Sequence, residues 1–365
     1  MGRLLSGALL LMAVLAAGCR GSEPQPAELR MLVGTYTEGR ASQGVYLYSY
    51  DPQTAGCVLL DTAAACNPSF VIPSEDRYHV YAVSEYGDGR QGVYSFRLRD
   101  NRIDLLNFSA GAGADPCNIV LADGNLITSD YSGGTLSVFP VLGDGSVDSM
   151  SFQYTPEKRD ENTVSHIHCT AVSPDGRYIF VSDLGTDRIY RAELKGKGLP
   201  PWDFTVAYSF DTEMHPGPRH ICFSPDGRYA YLISEPGDYI SVFAYKDGEL
   251  EHISTEKAYD GDGKGSADIH TSPDGKFVYT SHRLKEDGIS VFRRDGRSGK
   301  LERVGFTPTG RHPRNFAISP DGRFLLCACR DSDRIEIYSI DSRTGLLSFT
   351  GGTVDVPAPV CISIY

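Results

Sequence analysis

The feature that most constrains the fold is a four-residue signature, Ser-Pro-Asp-Gly, which occurs four times in the chain. The copies stand at 173–176, 224–227, 272–275 and 319–322, and their prolines are 51, 48 and 47 residues apart. Pro-Asp-Gly favours a tight turn, because proline presets φ for the first turn position and glycine accepts a positive φ. A basic residue, an aromatic residue and an alternating apolar run follow each copy, which predicts a strand after each turn.

A repeat of about 48 residues that is made of strands and turns is typical of a β-propeller. Weaker copies at 68–105 and 116–146 raise the number of blades to six. The segment 31–50 has strands but no Pro-Asp-Gly half, and the tail 360–364 reads as one more strand. Strands from both termini can complete a seventh blade, which removes the open edge of the ring. We therefore predict an all-β fold, a seven-bladed propeller of four-stranded antiparallel blades over residues 30–365. Eight or six blades are the alternatives.

The first residues predict a targeting segment that is separate from the propeller. Arg3 precedes an apolar stretch, 4–15, that is too short to span a bilayer. Small residues then lead to Cys19, which resembles a bacterial lipoprotein signal, although Ala16 stands where leucine is commoner. We expect a signal peptide at 1–18, a lipid on Cys19 and a tether over 19–29, which would place the protein at the cell envelope, on a periplasmic or outer-membrane face. An ordinary secretory signal is the alternative.

Eight further cysteines follow Cys19, and export would permit disulfides between them. Cys169, Cys222, Cys327 and Cys361 lie in strand-like runs, where a buried thiol packs as a small hydrophobe. Free buried thiols are the favoured interpretation, with Cys57 and Cys66 as the pair to test for a disulfide. Because the spacing of metal ligands is absent, we predict no metal and no cofactor. A net charge of −12 argues against nucleic acid or an anionic membrane surface as a partner. The oligomeric state stays open.

Two positions, counted from each signature proline, differ in character from blade to blade. Six residues before it stand His168, Arg219, Ala267 and Arg314, and ten residues after it stand Leu184, Glu235, Arg283 and Arg330. Equivalent positions of a propeller lie around one circle near the channel. Five of these eight side chains are charged, and charges that converge on a narrow funnel need a ligand, a partner or water. They could also be ordinary polar strand ends, with Arg219 simply paired to Glu235.

Two more histidines accompany these positions. His166 shares strand parity with His168 and is a second candidate, whereas His220 should face away from Arg219 and orient or pack. Four arginines against the single Glu235 predict a net positive funnel, and hence an anionic substrate.

At these residues the sequence resembles the lactonase family of seven-bladed propellers, which includes a bacterial 6-phosphogluconolactonase and the fungal carboxymuconate-lactonizing enzyme. The resemblance covers the whole mature chain. The strings that carry it are Asn67-Pro68-Ser69-Phe70 with Glu85; His168 before the first signature and the run 183–188; Pro218-Arg219-His220 with Glu235; Ser281-His282-Arg283; and Pro313-Arg314-Asn315-Phe316. Asn118 and His282 depart from the commoner pattern.

The resemblance implies a catalytic set of His168, Arg219, Glu235 and Arg283. Arg314, Arg330, His166, His220, Glu85 and Asn118 are then candidates for substrate binding. The expected reaction is hydrolysis of a small anionic sugar-acid lactone, with the arginines on the oxyanion, Glu235 as base towards water and His168 as donor to the ring oxygen. Alternatives are a cyclising enzyme of the carboxymuconate type, a sensor or lyase with the same anion pocket, and a non-catalytic binding propeller. The sequence contains no Gly-x-Ser-x-Gly motif, which argues against a serine esterase.

Overall fold

The computed structural model describes residues 29–194, 196, 200–210, 216–261 and 263–365, and within them seven four-stranded antiparallel sheets form the blades of a propeller. The inner strands of neighbouring blades contact one another around a central channel. The prediction of an all-β, seven-bladed ring is confirmed. The only helical segment in this part of the chain is one 3₁₀ turn, Arg330–Ser332.

The first four blades have the following strands, each blade written from the channel outward: β28 (Pro359–Ile364), β1 (Leu29–Thr35), β2 (Gly44–Asp51) and β3 (Gly56–Ala64); β4 (Val71–Pro73), β5 (His79–Ser84), β6 (Gly92–Arg99) and β7 (Arg102–Ala110); β8 (Pro116–Ala122), β9 (Asn125–Asp130), β10 (Thr135–Pro140) and β11 (Phe152–Tyr154); β12 (Ile167–Val172), β13 (Tyr178–Asp183), β14 (Arg188–Glu193) and β15 (Phe204–Ser209).

The last three blades follow in the same order: β16 (Pro218–Phe223), β17 (Tyr229–Ser234), β18 (Tyr239–Lys246) and β19 (Glu249–Lys257); β20 (Ser266–Thr271), β21 (Phe277–His282), β22 (Gly288–Arg294) and β23 (Leu301–Pro308); β24 (Pro313–Ile318), β25 (Phe324–Cys329), β26 (Arg334–Ile340) and β27 (Leu347–Asp355).

Strands from both ends of the chain close the ring, as predicted. β28 pairs antiparallel with β1, with Met31 opposite Ile364 and Gly34 opposite Cys361. Within the described residues, Leu29 already pairs with Tyr50 of β2. β1 therefore has a partner strand on both sides, β28 and β2, and neither of its edges is left open.

The signature turns are built by the side chains that define them. In the first copy, the Ser173 hydroxyl donates to Asp175 Oδ1 at 2.6 Å and accepts the Tyr178 amide at 2.9 Å. Gly176 takes the left-handed conformation, with φ of +68°. The same bonds recur in the other three copies. Each turn thus sets the start of a second strand, and the apolar faces of successive strands pack between the blades to form the core.

The inner strands carry β-bulges at their channel-entry ends. In β16, Pro218 pairs with Ser234 and His220 pairs with Ile233, so that Arg219 between them has no partner across the ladder. His168 in β12 and Arg314 in β24 stand at the same kind of irregularity. A bulge turns its extra residue out of the regular alternation. The side chains that the sequence singled out are therefore aimed by backbone irregularity.

The cysteines from Cys57 to Cys361 are free thiols, and neither Cys57 nor Cys66 is in a disulfide. Most are buried, but Cys66 is exposed. The predicted signal peptide at 1–18, Cys19 and nearly all of the tether lie outside the described residues. Within the described ranges, no helix has the length and apolarity that a membrane span would need.

Candidate active site

One ring of positions at the channel mouth comes from the residue that follows the second strand of each blade. In chain order these residues are Tyr36, Glu85, Tyr131, Leu184, Glu235, Arg283 and Arg330. The bulged residues of the inner strands, among them Cys117, His168, Arg219 and Arg314, supply a second ring. The positions six residues before and ten residues after each signature proline belong to these two rings. Hydrogen bonds join side chains of one ring to side chains of the other.

Glu235 ties two buried arginines together. Its Oε2 accepts Arg219 Nε at 2.7 Å, and its Oε1 accepts Arg283 Nη2 at 2.6 Å. The Arg219 side chain is 1% exposed. Burial raises the pKa of Glu235, but Arg219, Arg283 and Arg314 outweigh it and hold that pKa below its usual value. Glu235 is thus a carboxylate with both oxygens engaged, which makes it a poor proton acceptor.

His168 is a neutral imidazole beside this pair. Burial first, and then the positive charges of Arg219 and its neighbours, lower the pKa of His168 well below its usual value. The ring lies edge-on to Tyr131 with centroids 5.5 Å apart, and edge-on to His220 at 5.2 Å. Its Nδ1 is 3.7 Å from the Cys117 sulfur. A neutral imidazole has one nitrogen whose lone pair can accept a proton and one N–H that can donate a hydrogen bond.

A third arginine, Arg314, occupies the other side of the cluster. Its guanidinium lies 3.8 Å from Glu85 Oε1 and 5.4 Å from the centre of the Tyr36 ring. The Tyr36 hydroxyl donates to Glu85 Oε1 at 2.9 Å. Among the described residues, Glu85 Oε2 is buried without a hydrogen-bond partner. A buried carboxylate oxygen without a donor is costly, so this atom is suited to a hydroxyl group of a ligand or to a water molecule.

Sequence reasoning missed Tyr36 and Tyr131. Both follow the second strand of their blade, as Glu235 and Arg283 do. Their blades lack the Ser-Pro-Asp-Gly signature, so no proline set the register there. Counting from the end of each apolar run would have found both tyrosines.

Three of the predicted substrate-binding residues have other partners. Arg330 donates through Nε and Nη2 to Asp331, each at 2.9 Å. Asn118 Oδ1 accepts the Thr170 amide at 3.0 Å and so links two inner strands. His166 Nδ1 lies 2.9 Å from the Tyr131 carbonyl oxygen, and its ring stacks on Tyr131 at the rim.

His220 was expected to face away from Arg219, but its Nε2 lies 3.3 Å from Arg219 Nη1. The bulge at Arg219 breaks the two-residue alternation on which that expectation relied. His220 Nδ1 lies 2.7 Å from Asp268 Oδ1, so both ring nitrogens are already engaged.

The expected excess of charge is also smaller. Arg219, Arg283 and Arg314 face Glu235 and Glu85, while Arg330 is neutralised by Asp331. The cluster therefore keeps one excess positive charge rather than three. In the part of the chain that the structure describes, no three histidine, cysteine or acidic side chains are grouped as a metal site.

Comparison with known proteins shows the family to which the chain belongs. The family model described as "Lactonase, 7-bladed beta-propeller" matches residues 30–364. The chain belongs to the lactonase family. It is 33% identical over 347 residues to the 6-phosphogluconolactonase of Bacillus subtilis, an alignment that covers 90% of this chain and 96% of that protein. With its homologues, the family match makes the protein a lactonase-type hydrolase.

Two solved structures of lactonase relatives share the fold. A candidate 6-phosphogluconolactonase from Bacteroides uniformis is 42% identical, with a TM-score of 0.88 over 93% of this chain and 99% of that one. A periplasmic gluconolactonase from Pseudomonas aeruginosa is 29% identical, with a TM-score of 0.83 over 92% of this chain and 98% of that one.

Proposed function

We propose that this lactonase opens an anionic sugar-acid lactone, 6-phosphogluconolactone or a carboxylated relative, to the open-chain acid. The observation that carries the proposal is the pair of buried arginines, Arg219 and Arg283, fixed by Glu235 beside the neutral ring of His168. Opening an ester needs a base for water, a stabiliser for the oxyanion and an acid for the leaving alkoxide. This cluster offers all three.

His168 is the group that moves the proton in this scheme. Its lone pair takes a proton from the attacking water as the water oxygen bonds to the lactone carbonyl carbon. Arg219 and Arg283 stabilise the negative charge that develops on the carbonyl oxygen. The bond between that carbon and the ring oxygen then breaks, and the imidazolium returns its proton to the leaving oxygen. Glu235 holds the arginines instead of acting as the base that the sequence predicted, and His168 takes that role in addition to its expected role as donor to the ring oxygen.

Arg314 and Glu85 suit the recognition of the substrate. Within the described residues, Arg219 and Arg283 each hydrogen-bond to a carboxylate, whereas Arg314 does not. Arg314 Nη2 lies 3.8 Å from Glu85 Oε1. A phosphate or carboxylate of the substrate can complete its contacts. The unpartnered Glu85 Oε2 can accept from a sugar hydroxyl. Both features favour a hydroxylated, anionic lactone over a neutral or apolar one.

The test is a lactone panel, with acid release followed by a pH indicator. The panel contains 6-phosphogluconolactone, a uronic-acid lactone, glucono-lactone and γ-butyrolactone. We expect the anionic lactones to have the highest kcat/KM. Arg314→Gln should lower kcat/KM about tenfold for the anionic lactones and leave glucono-lactone unaffected, because one charge-assisted contact is lost. Arg228→Gln, in an exposed turn, is the matched control.

The outcomes separate two claims. Preference for glucono-lactone would contradict an anionic substrate but leave lactone hydrolysis in place. If no lactone in the panel is opened, hydrolysis of this class of lactone is wrong.

We also propose export and lipid anchoring through residues 1–18 and Cys19. The small residues before Cys19 support it, as does the periplasmic gluconolactonase among the relatives. Cys19→Ala should move the protein from the membrane fraction to the soluble envelope fraction, since the lipid would be its anchor. A mutant that still sediments with membranes after a salt wash would contradict this proposal.

A further inference from the structure

Each of the two arginines that hold Glu235 is backed by a histidine. Arg219 Nη1 lies 3.3 Å from His220 Nε2, and Arg283 Nη1 lies 3.3 Å from His312 Nε2. A guanidinium group can only donate hydrogen bonds, so each imidazole has to present a lone pair on Nε2. The proton of each neutral ring is then on Nδ1.

An aspartate faces Nδ1 of each ring. Asp268 Oδ1 lies 2.7 Å from His220 Nδ1, and Asp331 Oδ2 lies 3.6 Å from His312 Nδ1. Asp268, at hydrogen-bond distance, selects the Nδ1–H tautomer of His220 and thereby leaves its Nε2 free to accept. Asp331 is beyond hydrogen-bond distance, so at His312 it is the contact between Arg283 Nη1 and Nε2 that requires the same tautomer. The same order, aspartate then histidine then arginine, occurs twice around Glu235.

Both aspartates are themselves anchored. Asp268 Oδ2 is 2.9 Å from His270 Nε2 and accepts Asn315 Nδ2 at 2.5 Å. Asp331 accepts Nε and Nη2 of Arg330, each at 2.9 Å. Arg330, which the sequence predicted to bind substrate, is thus bonded to the aspartate beside His312.

A neutral acceptor can orient the guanidinium group without cancelling its charge, which a third carboxylate could not do. A carboxylate at Nη1 would cancel the excess positive charge of the cluster, whereas an imidazole directs Nη1 and leaves the charge for the substrate. Burial, and then the adjacent arginine, lower the pKa of His220 to about 4 and that of His312 to about 3, so both rings are neutral.

We propose that His220 and His312 are positioning residues for the reaction, each accepting through Nε2 from one of the two arginines that stabilise the oxyanion, with Asp268 holding His220 in the Nδ1–H tautomer. The proposal rests on the proposed lactone hydrolysis and adds residues that touch neither the lactone nor the attacking water.

The test compares variants that lose the acceptor with variants that keep it. His220→Phe and His312→Phe keep an aromatic ring but remove the acceptor, and His220→Gln and His312→Gln retain an oxygen or nitrogen there. We expect each Phe variant to lose about 10- to 100-fold in kcat with little change in KM, because the arginines are needed most in the transition state. The Gln variants should recover most of the rate. His252→Phe, on the outer strand β19, is the control.

A second measurement isolates the route through arginine. In an Arg219→Met background, His220→Phe should cause little further loss, since the acceptor has lost its donor. Equal loss in the Phe and Gln variants, wild-type rates in all four, or full additivity in the double variant would each overturn the proposal.

Tautomers can be read without activity. Long-range ¹H–¹⁵N spectra of the wild-type protein should show Nδ1–H for His220 and His312. This keeps the proposal testable if the Phe variants fail to fold, and Nε2–H in both rings would overturn it. If the wild-type protein opens no lactone while the spectra show Nδ1–H, lactone hydrolysis is at fault and the two Asp–His–Arg arrangements stand.

Discussion

A single carboxylate organises the site at the scale of residues. Glu235 brings two guanidinium groups to one place, although two like charges in a buried position repel each other. Without it, Arg219 and Arg283 would be uncompensated charges with few alternatives, because Arg219 is buried and already bonded to the Ala267 carbonyl and His220. We therefore expect a change at Glu235 to affect both the reaction and the stability of the fold.

Glu235→Gln should lower kcat/KM roughly 100-fold and destabilise the fold by about 3 kcal/mol, because it leaves two buried arginines with no counter-charge. Thermal unfolding should show a Tm lower by roughly 5 °C or more. Glu251→Gln, exposed on β19, is the matched control and should change neither quantity. A variant with a wild-type Tm would mean that solvent, rather than Glu235, compensates the arginines.

Sequence identified His168, Arg219, Glu235, Arg283 and Arg314 because a fixed distance from the signature proline places them at equivalent points of successive blades. It could not show which neighbours compete for a side chain. The side chain next to Arg330 pairs with it, and nothing in the spacing reveals that bond. Nor could it show that the rings of His220 and His312 contact arginines. The His220 contact depends on the bulge at the neighbouring Arg219, and the His312 contact with Arg283 crosses between blades.

At the scale of elements, a turn and a bulge in each blade together position the side chains at the channel. The turn starts the second strand at a fixed point, and the bulge turns one residue of the inner strand towards the channel. The turn was readable because its residues are specific to it. The bulges were not, because a period-two pattern contains no mark of an extra residue.

The turn of the second blade contains a natural exception. Arg77 stands where the signature turns have glycine, and it takes the same left-handed conformation, with a φ of +62°. Arg77→Gly should stabilise the protein by roughly 0.5–1 kcal/mol, the relief of strain less the added freedom of the unfolded chain.

The reciprocal change, Gly176→Arg, should destabilise by about 1 kcal/mol. A Cβ at Gly176 would meet no atom within 4 Å, so the change tests conformation rather than packing. Denaturant midpoints measure both variants. A Gly176→Arg variant that is more stable than the wild-type protein would show that the positive φ at this position carries no cost in stability for a residue other than glycine.

At the scale of the whole molecule, the number of blades was predictable because each blade repeats the same turn and inner strands, and because the two ends supply what one blade lacks. The outer strands were harder to foresee. β11 has only three residues, and strands such as β7 and β27 are largely exposed, so that apolar alternation is weak there.

The ring also buries several neutral histidines, and this predicts how its stability depends on pH. Burial is the first cause that lowers the pKa of His168 and of His220, His282 and His312, the last two to about 3. Below about pH 6.5 the unfolded chain binds protons at these rings while the folded protein does not, so acid favours unfolding. Each ring contributes about 1.4 kcal/mol per pH unit well below that point. His270 opposes the trend, because Asp268 outweighs burial and raises its pKa.

Tm should therefore fall as pH drops from 6.5 to 5, with Asp130 opposing part of the fall because burial raises its pKa to about 6. His282 makes the sharpest probe, since it is fully buried between Ser266 and Thr280, whose side-chain oxygens lie 2.9 Å from its two nitrogens. His282→Asn removes one of the four buried neutral rings and should flatten the slope of Tm against pH by at least about a quarter, because His270 and Asp130 reduce the total below the sum of the four. His252→Asn, at an exposed position, should leave the slope unchanged. A Tm that stays constant down to pH 5 would contradict this prediction, as would the same slope in His282→Asn and the wild-type protein. Either result would mean that these imidazoles take up protons while the protein is folded.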